Sequence, residues 1–173
     1  MTKKFKLILI SLVLMTISIF GLFNVLENKT IETVRSLSYD SNEEIKPYVD
    51  KFLRDLKNYG LTPEIPKDFT VKFSDLETYT KTSHYHGVSF GYQDDDRVEV
   101  YINKNSWNSF NKSQKYYIVY HELSHDILNL DDLNDSDDNY GHIMFPYISR
   151  YDNLKMNDFI INMKLMFNSL KFK

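Results

Sequence analysis

The 173-residue chain contains no cysteine. That absence excludes disulfides, thiolate zinc sites, a thiol nucleophile and an N-terminal lipid anchored on cysteine, while leaving the redox compartment open. Alanine is also missing, whereas Lys, Asn and Ile are common and Tyr and Phe reach 13 and 12. Such a bias marks an AT-rich genome more than a function. A large excess of positive charge is lacking too. The net charge of −3 excludes a nucleic-acid binder that works through whole-chain electrostatics. Internal repeats and a second domain are not evident. With 42% apolar residues, the chain is expected to form one globular domain with a short appendage.

The longest stretch without charge runs over residues 7–26, behind Lys3, Lys4 and Lys6. As a helix, 20 residues span about 30 Å, the thickness of a bilayer's hydrocarbon core. The preceding lysines should stay in the cytoplasm and send the rest of the chain outward. The length argues for an uncleaved anchor. A cleaved signal peptide is the alternative, although it has a shorter apolar core and a small-x-small site that Ile19-Phe20-Gly21 matches poorly. Residues 27–40 are polar, without strong periodicity, and are expected to be a tether. Residues 41–173 are expected to form the domain, outside the cytoplasm.

Apolar positions in that domain predict its elements. Ser41-Asn42-Glu43-Glu44 has capping-box spacing, and Ile45, Val49, Phe52, Leu53, Leu56 and Tyr59 follow at helical intervals up to Gly60. Residues 69–73 alternate as a strand, and a polar loop with Thr78, Thr80, Thr82 and Ser83 follows. Residues 86–92 and 97–102 predict a hairpin around Gln93-Asp94-Asp95-Asp96, with Trp107 in a polar loop after it. A central helix is expected over 112–130, then an acidic loop over 131–138, a turn over 141–146 and an amphipathic closing helix over 155–170.

The chemistry is concentrated in His121-Glu122-Leu123-Ser124-His125. Positions i and i+4 of a helix share a face, so two imidazoles spaced in this way can hold one metal ion. Glu122, one residue on, can lean over the same ion's open side and accept a proton from a water acidified there. Ser124 is small, as a closely packed helix requires. The plainer alternative is a hydrogen-bonded helical His pair beside an incidental Glu. A catalytic zinc needs a third protein ligand. No Glu follows Glu122, so a downstream helical glutamate is unavailable. Asp131, Asp132, Asp135 and His142 remain.

The segment 121–132, followed by Ile143-Met144-Phe145-Pro146, resembles the metzincin clan of zinc peptidases. That clan combines His-Glu-x-x-His-x-x-Gly-x-x-His/Asp with a Met-turn beneath the zinc. Strict spacing puts the third ligand on Asp131, whereas the Leu-Asp-His ending typical of matrixin-like members puts it on Asp132, with one inserted residue. Met144 would be the Met of the turn. Two departures stand out. Leu128 occupies the usual Gly position, although Asn129 beside it can take the left-handed turn, and Asp replaces the third His. The resemblance implies an α+β zincin-like domain with a small mixed sheet, a central zinc-binding helix and a C-terminal helix. It implies a Zn2+-dependent metallopeptidase that cleaves a peptide or protein substrate, with His121, His125 and Asp131 or Asp132 on zinc and Glu122 as general base. By the same analogy residues 97–102 would be the edge strand that an extended peptide pairs with, an ordinary antiparallel strand being the equal alternative, and Tyr147 or Tyr151 could steady an oxyanion, with surface or core packing as the plainer reading of each.

His84 and His86 could hold a second metal, and residues 131–138 calcium, although that loop lacks the Gly and Glu of an EF-hand. Two other function classes compete with the peptidase. One is a membrane-tethered, non-catalytic binding protein with a structural or vestigial metal site. The other is a metal-dependent hydrolase of cell-wall amides, with a wide cleft and no usable edge strand.

Overall fold

The computed structural model describes residues 3–39, 42–80, 85–91, 96–148 and 152–171. Of the sequence expectations, Ser41, Thr82, Ser83, His84, residues 92–95 and Tyr151 lie outside these. The chain divides into two units, 1–36 and 37–173.

The first unit is a single helix, α1 (Lys3–Ser36). Residues 27–36, expected to belong to a tether, continue this helix, and Ser38–Tyr39 then form strand β1. Thr30 and Thr33 lie within α1, donating their hydroxyls to the carbonyls of Leu26 and Lys29. Among the described residues no helix is long and apolar enough to cross a membrane. Most side chains of residues 7–26 lie outside the described ones, and the anchor or signal expectation falls there.

The second unit is a small α+β body. Its elements are β1, α2 (Asn42–Asn58), β2 (Asp68–Ser74), α3 (Leu76–Thr80), β3 (Gly87–Ser89), β4 (Arg97–Asn103), α4 (Lys104–Ser109), α5 (Lys112–Leu128) and α6 (Met156–Leu170). The strands form one mixed sheet in the order β1-β2-β4-β3. β2 and β4 run parallel, with Val71 opposite Val100, and β1 pairs antiparallel with the end of β2. β3 pairs antiparallel with β4, with Val88 opposite Tyr101, as the hairpin expectation requires.

This order corrects the expectation for residues 97–102. β4 lies between two partners and is not an edge; the edge strand on that side is β3. Val98 through Asn103 are buried on both faces, as a strand in a parallel pair requires. Two loop expectations are also corrected. Thr78 and Thr80 lie in α3, and Trp107 is buried in α4. Asn103 explains α4, because its side-chain oxygen accepts from the backbone N–H groups of Asn105 and Ser106.

α5 packs against β3 and β4 and also touches α2 and α6. Sandwiched in this way, it buries residues all round, from Tyr117 to Leu123 apart from His121, rather than along one stripe. Tyr120 meets the Phe52 ring of α2 edge-on at 5.0 Å and the Phe159 ring of α6 at 4.9 Å. Ser124 is fully buried, with its hydroxyl toward Met166 of α6.

Candidate metal centre

The rotation of α5 is set at its start. Asn111 and Gln114 form a capping box, each side-chain oxygen accepting from the other's backbone N–H. The Gln114 amide also donates to Asp152, ahead of α6. One turn further on, Tyr117 donates its hydroxyl to the Gly141 carbonyl at 2.8 Å and accepts from Asn162 of α6. His121 lies one turn beyond Tyr117 and therefore faces the chain that follows Gly141.

The helix ends at Asn129, whose φ of 49° and ψ of 45° are left-handed. Among the described residues it is the one non-glycine with positive φ. The expectation that Asn129 replaces the missing glycine therefore matches the backbone. The reversal turns the Leu130 N–H back to the Ser124 carbonyl and the Leu130 carbonyl toward His125. Leu133 then donates to the Met144 carbonyl at 2.8 Å. The turn carrying Met144 is closed by a bond from Phe145 N–H to the His142 carbonyl, and Met144 is buried.

Three side-chain atoms converge inside this frame. His121 Nε2 and His125 Nε2 are 3.0 Å apart, and Asp132 Oδ1 lies 3.3 Å from the first and 3.4 Å from the second. The structure thus brings together His121, His125 and Asp132. Asp131, Asp135 and His142 are not in the group, and no other metal-competent cluster of three occurs among the described residues. The proton positions follow from the partners. His121 Nδ1 lies 2.9 Å from the Ile143 carbonyl and His125 Nδ1 lies 2.6 Å from the Leu130 carbonyl. A carbonyl only accepts, so both Nδ1 atoms carry the hydrogen. In the neutral rings both Nε2 atoms are then bare lone pairs, aimed at one another and at a carboxylate.

That donor set fits a zinc ion. Tetrahedral ligands at about 2.0–2.1 Å stand about 3.3–3.4 Å apart, close to the three separations found. Two neutral imidazoles and one carboxylate suit zinc chemically, and backbone carbonyls on the outer ring nitrogens are the usual orienting partners.

The metal-free electrostatics respond to the same crowding. Burial disfavours charge on Asp132, but hydrogen bonds to His121 and His125 prevail and hold its carboxyl far below the usual range. Burial likewise works against a charged His125, yet Asp132, Glu122 and the Leu130 carbonyl together push its pKa up. Glu122 is 6% exposed, and burial pushes its carboxyl up against the opposing pull of the two histidines.

A cleft of about 340 Å³ opens over the cluster, lined by His121, Glu122, His125 and Asp132 on one side and by residues 85–89 on the other. Ile118, Ile143, Phe145 and Ile148 make part of its wall apolar. Glu122 packs directly against edge strand β3. A Cβ added at Gly87 would stand 2.5 Å from Glu122 Oε1.

The remaining candidates fall elsewhere. His86 lines the cleft, its Nδ1 2.8 Å from Ser106 Oγ and its ring against Phe110, but it does not belong to the metal-competent group. Tyr147 is exposed beside Phe145, outside the cleft lining. Sequence reasoning missed Gly87, Asp126 and the carbonyls of Leu130 and Ile143. A glycine inside a strand pattern is a signal for close backbone approach and pointed to the first. Asp126 falls one turn after Glu122 on a helix of buried residues, which was the signal for the second. Comparison with protein-family models, with curated proteins and with solved structures returns no match for the chain.

Proposed function

We propose that this chain is a zinc-dependent metallopeptidase of metzincin type. The observation that carries the reading is the convergence of two Nε2 atoms and one carboxylate oxygen within 3.4 Å of one another. His121, His125 and Asp132 would hold the ion. When bound, zinc supplies the Lewis acidity that acidifies a water and polarises a carbonyl.

The chain's own residues do the rest. Glu122 lines the cleft beside the ligand group, takes the proton of the attacking water and passes it to the leaving amine. Its burial raises its proton affinity in the metal-free protein. β3 offers a short edge along the cleft, where an extended peptide can pair through its main chain. The apolar wall suits a substrate side chain next to the scissile bond. The Met144 turn supports the family reading, because its backbone accepts from His121 on one side and from Leu133, next to Asp132, on the other. Three ligands beneath an open cleft favour catalysis over a structural site, which closes its fourth position. The uncharged residues 7–26 behind three lysines support a reaction outside the cytoplasm, at a membrane or after secretion.

The test is metal content and peptide hydrolysis by the full-length chain in detergent, with Glu122→Gln as control. Wild type should retain about one zinc per chain, and the variant should keep zinc while losing about 10²–10⁴-fold in rate. Equal cleavage by both proteins, or failure of the wild type to bind zinc, overturns the reading.

A further inference from the structure

The proposed reaction leaves one buried carboxylate of the zinc helix unused. Asp126 lies one turn beyond Glu122 and is as buried as Glu122, at 6%. Its Oδ2 accepts from Ser89 Oγ at 3.0 Å and from the Glu99 backbone N–H at 3.1 Å. Those donors belong to different strands. Ser89 ends β3, and Glu99 lies in β4 where the ladder between the two strands gives way to a bond from Phe90 N–H to the Glu99 carbonyl. One carboxylate oxygen thus bridges both strands to the helix.

The close approach recurs along the segment. A Cβ added at Gly91 would stand 2.6 Å from Asp126 Oδ2, as one at Gly87 would stand 2.5 Å from Glu122 Oε1. Two glycines four residues apart therefore lie against two carboxylates four residues apart on α5. Burying a carboxylate is costly, and an apolar side chain would serve packing alone at less expense. What Asp126 adds is a directed attachment: its acceptor reaches a β3 side chain and a β4 backbone amide together.

We propose that Asp126 is a positioning residue, which sets the distance between edge strand β3 and the base Glu122 by clamping Ser89 and Glu99 to α5. The proposal rests on the peptidase reading for its functional consequence, because β3 is the edge that substrate uses there. Asp126 touches neither substrate nor metal in this role. Its loss lets β3 drift, which weakens substrate binding and leaves the ligand triangle in place.

The experiment compares full-length wild type, Asp126→Ala, Asp126→Asn and Ser89→Ala. The readouts are kcat and KM for a peptide extending to both sides of the cleavage point, zinc affinity, and amide exchange over residues 87–90. Asp126→Ala should raise KM by about 10-fold, as expected for losing a charge-assisted bond that orders the binding edge. Its kcat should stay within about threefold, and its zinc affinity should not change. Asp126→Asn, which keeps an acceptor oxygen, should recover most of the KM, and Ser89→Ala should fall between. Amides of β3 should exchange faster in the order of the KM values.

An unchanged KM in folded Asp126→Ala overturns the proposal. So does a joint fall of kcat and zinc affinity, which would make Asp126 a support for His125. If Asp126→Ala does not fold, Ser89→Ala decides: a raised KM and faster exchange support the clamp, and wild-type behaviour overturns it. Absence of Glu122-dependent hydrolysis in the wild type would sink the peptidase reading alone. Amide exchange of β3 would still test the clamp.

Discussion

Replacing Gly87 with alanine should separate the proposed base from the candidate metal site. The added Cβ would lie 2.5 Å from Glu122 Oε1, 2.8 Å from its Cγ and 2.9 Å from its Cδ, where ordinary contact begins at 3.4 Å. Something must yield by about 0.9 Å, since the repulsive wall rises steeply inside contact distance. Three atoms are struck, so turning the carboxylate about its last bond does not relieve the clash, and the buried side chain must shift as a whole. A misplacement of about 1 Å at a reacting group costs about 10²-fold, and kcat/KM should fall by that order. Overpacking costs about 1–3 kcal/mol, while the stiffer unfolded chain offsets about 0.4–1 kcal/mol, so folding should survive. Gly87 does not have positive φ, so alanine brings no backbone strain to confuse the result. His121, His125 and Asp132 are not among the atoms struck, and zinc affinity should hold within a few-fold. Steady-state kinetics, a competitive zinc titration and a thermal melt on one preparation give the answer. Wild-type kcat/KM in a folded, zinc-loaded variant would refute the placement of Glu122 as base. Loss of zinc together with activity would refute the claim that the two functions are separable here.

Asp132→Ala should weaken zinc binding by more than about 100-fold, the upper range for losing even an outer partner of a ligand. Asp131→Ala should leave it unchanged, and an equal loss in both variants would undo the assignment from the 3.3 and 3.4 Å contacts. The stability of the metal-free protein should depend on pH with a definite sign. The depressed Asp132 contributes stability above its unfolded value near 3.8 and loses it only in stronger acid. The raised Glu122 and His125 contribute below their unfolded values near 4.5 and 6.5 and lose it as pH climbs through the higher folded values. Melting of the chelator-treated protein should therefore peak in weak acid and decline toward pH 8. The zinc-loaded protein should gain over the same interval, because its ligands must shed protons to bind. Parallel melting curves with and without chelator would contradict this.

How far the fold was legible follows the range of the forces involved. α2, α5 and α6 fall within two residues of their expected bounds, because a repeating apolar face is a local signal. Where the signal was absent or non-local, the expectations failed. α4 has six residues and only Trp107 as an apolar anchor, so no period could reveal it, although the Asn103 cap was there to be read. Which strand lies at the edge depends on a parallel pairing between β2 and β4, residues distant in the chain. Glu99, buried inside β4 with its carboxylate accepting from Tyr101 at 2.7 Å, interrupts the apolar run that marks an interior strand.

The candidate site divides in the same way. The two imidazoles and Glu122 are set by the pitch of one helix, so their spacing was legible. Asp131 and Asp132 remained open because successive side chains of an extended stretch face opposite ways, and only the exit angle of the chain decides which faces in. That angle comes from the left-handed Asn129, which aims the Leu130 carbonyl at His125 and leaves Asp132 to reach both Nε2 atoms. The last piece was beyond any reading of side chains. Two nitrogens 3.0 Å apart form either a shared-proton pair or a ligand pair, depending on where the hydrogens sit. The hydrogens are directed by the backbone oxygens of Leu130 and Ile143, and every residue type carries such an oxygen. The chemistry of the pair is therefore a property of the path the main chain takes around α5, and substitutions that redirect that path should alter the proposed metal binding even where all three candidate ligands are kept.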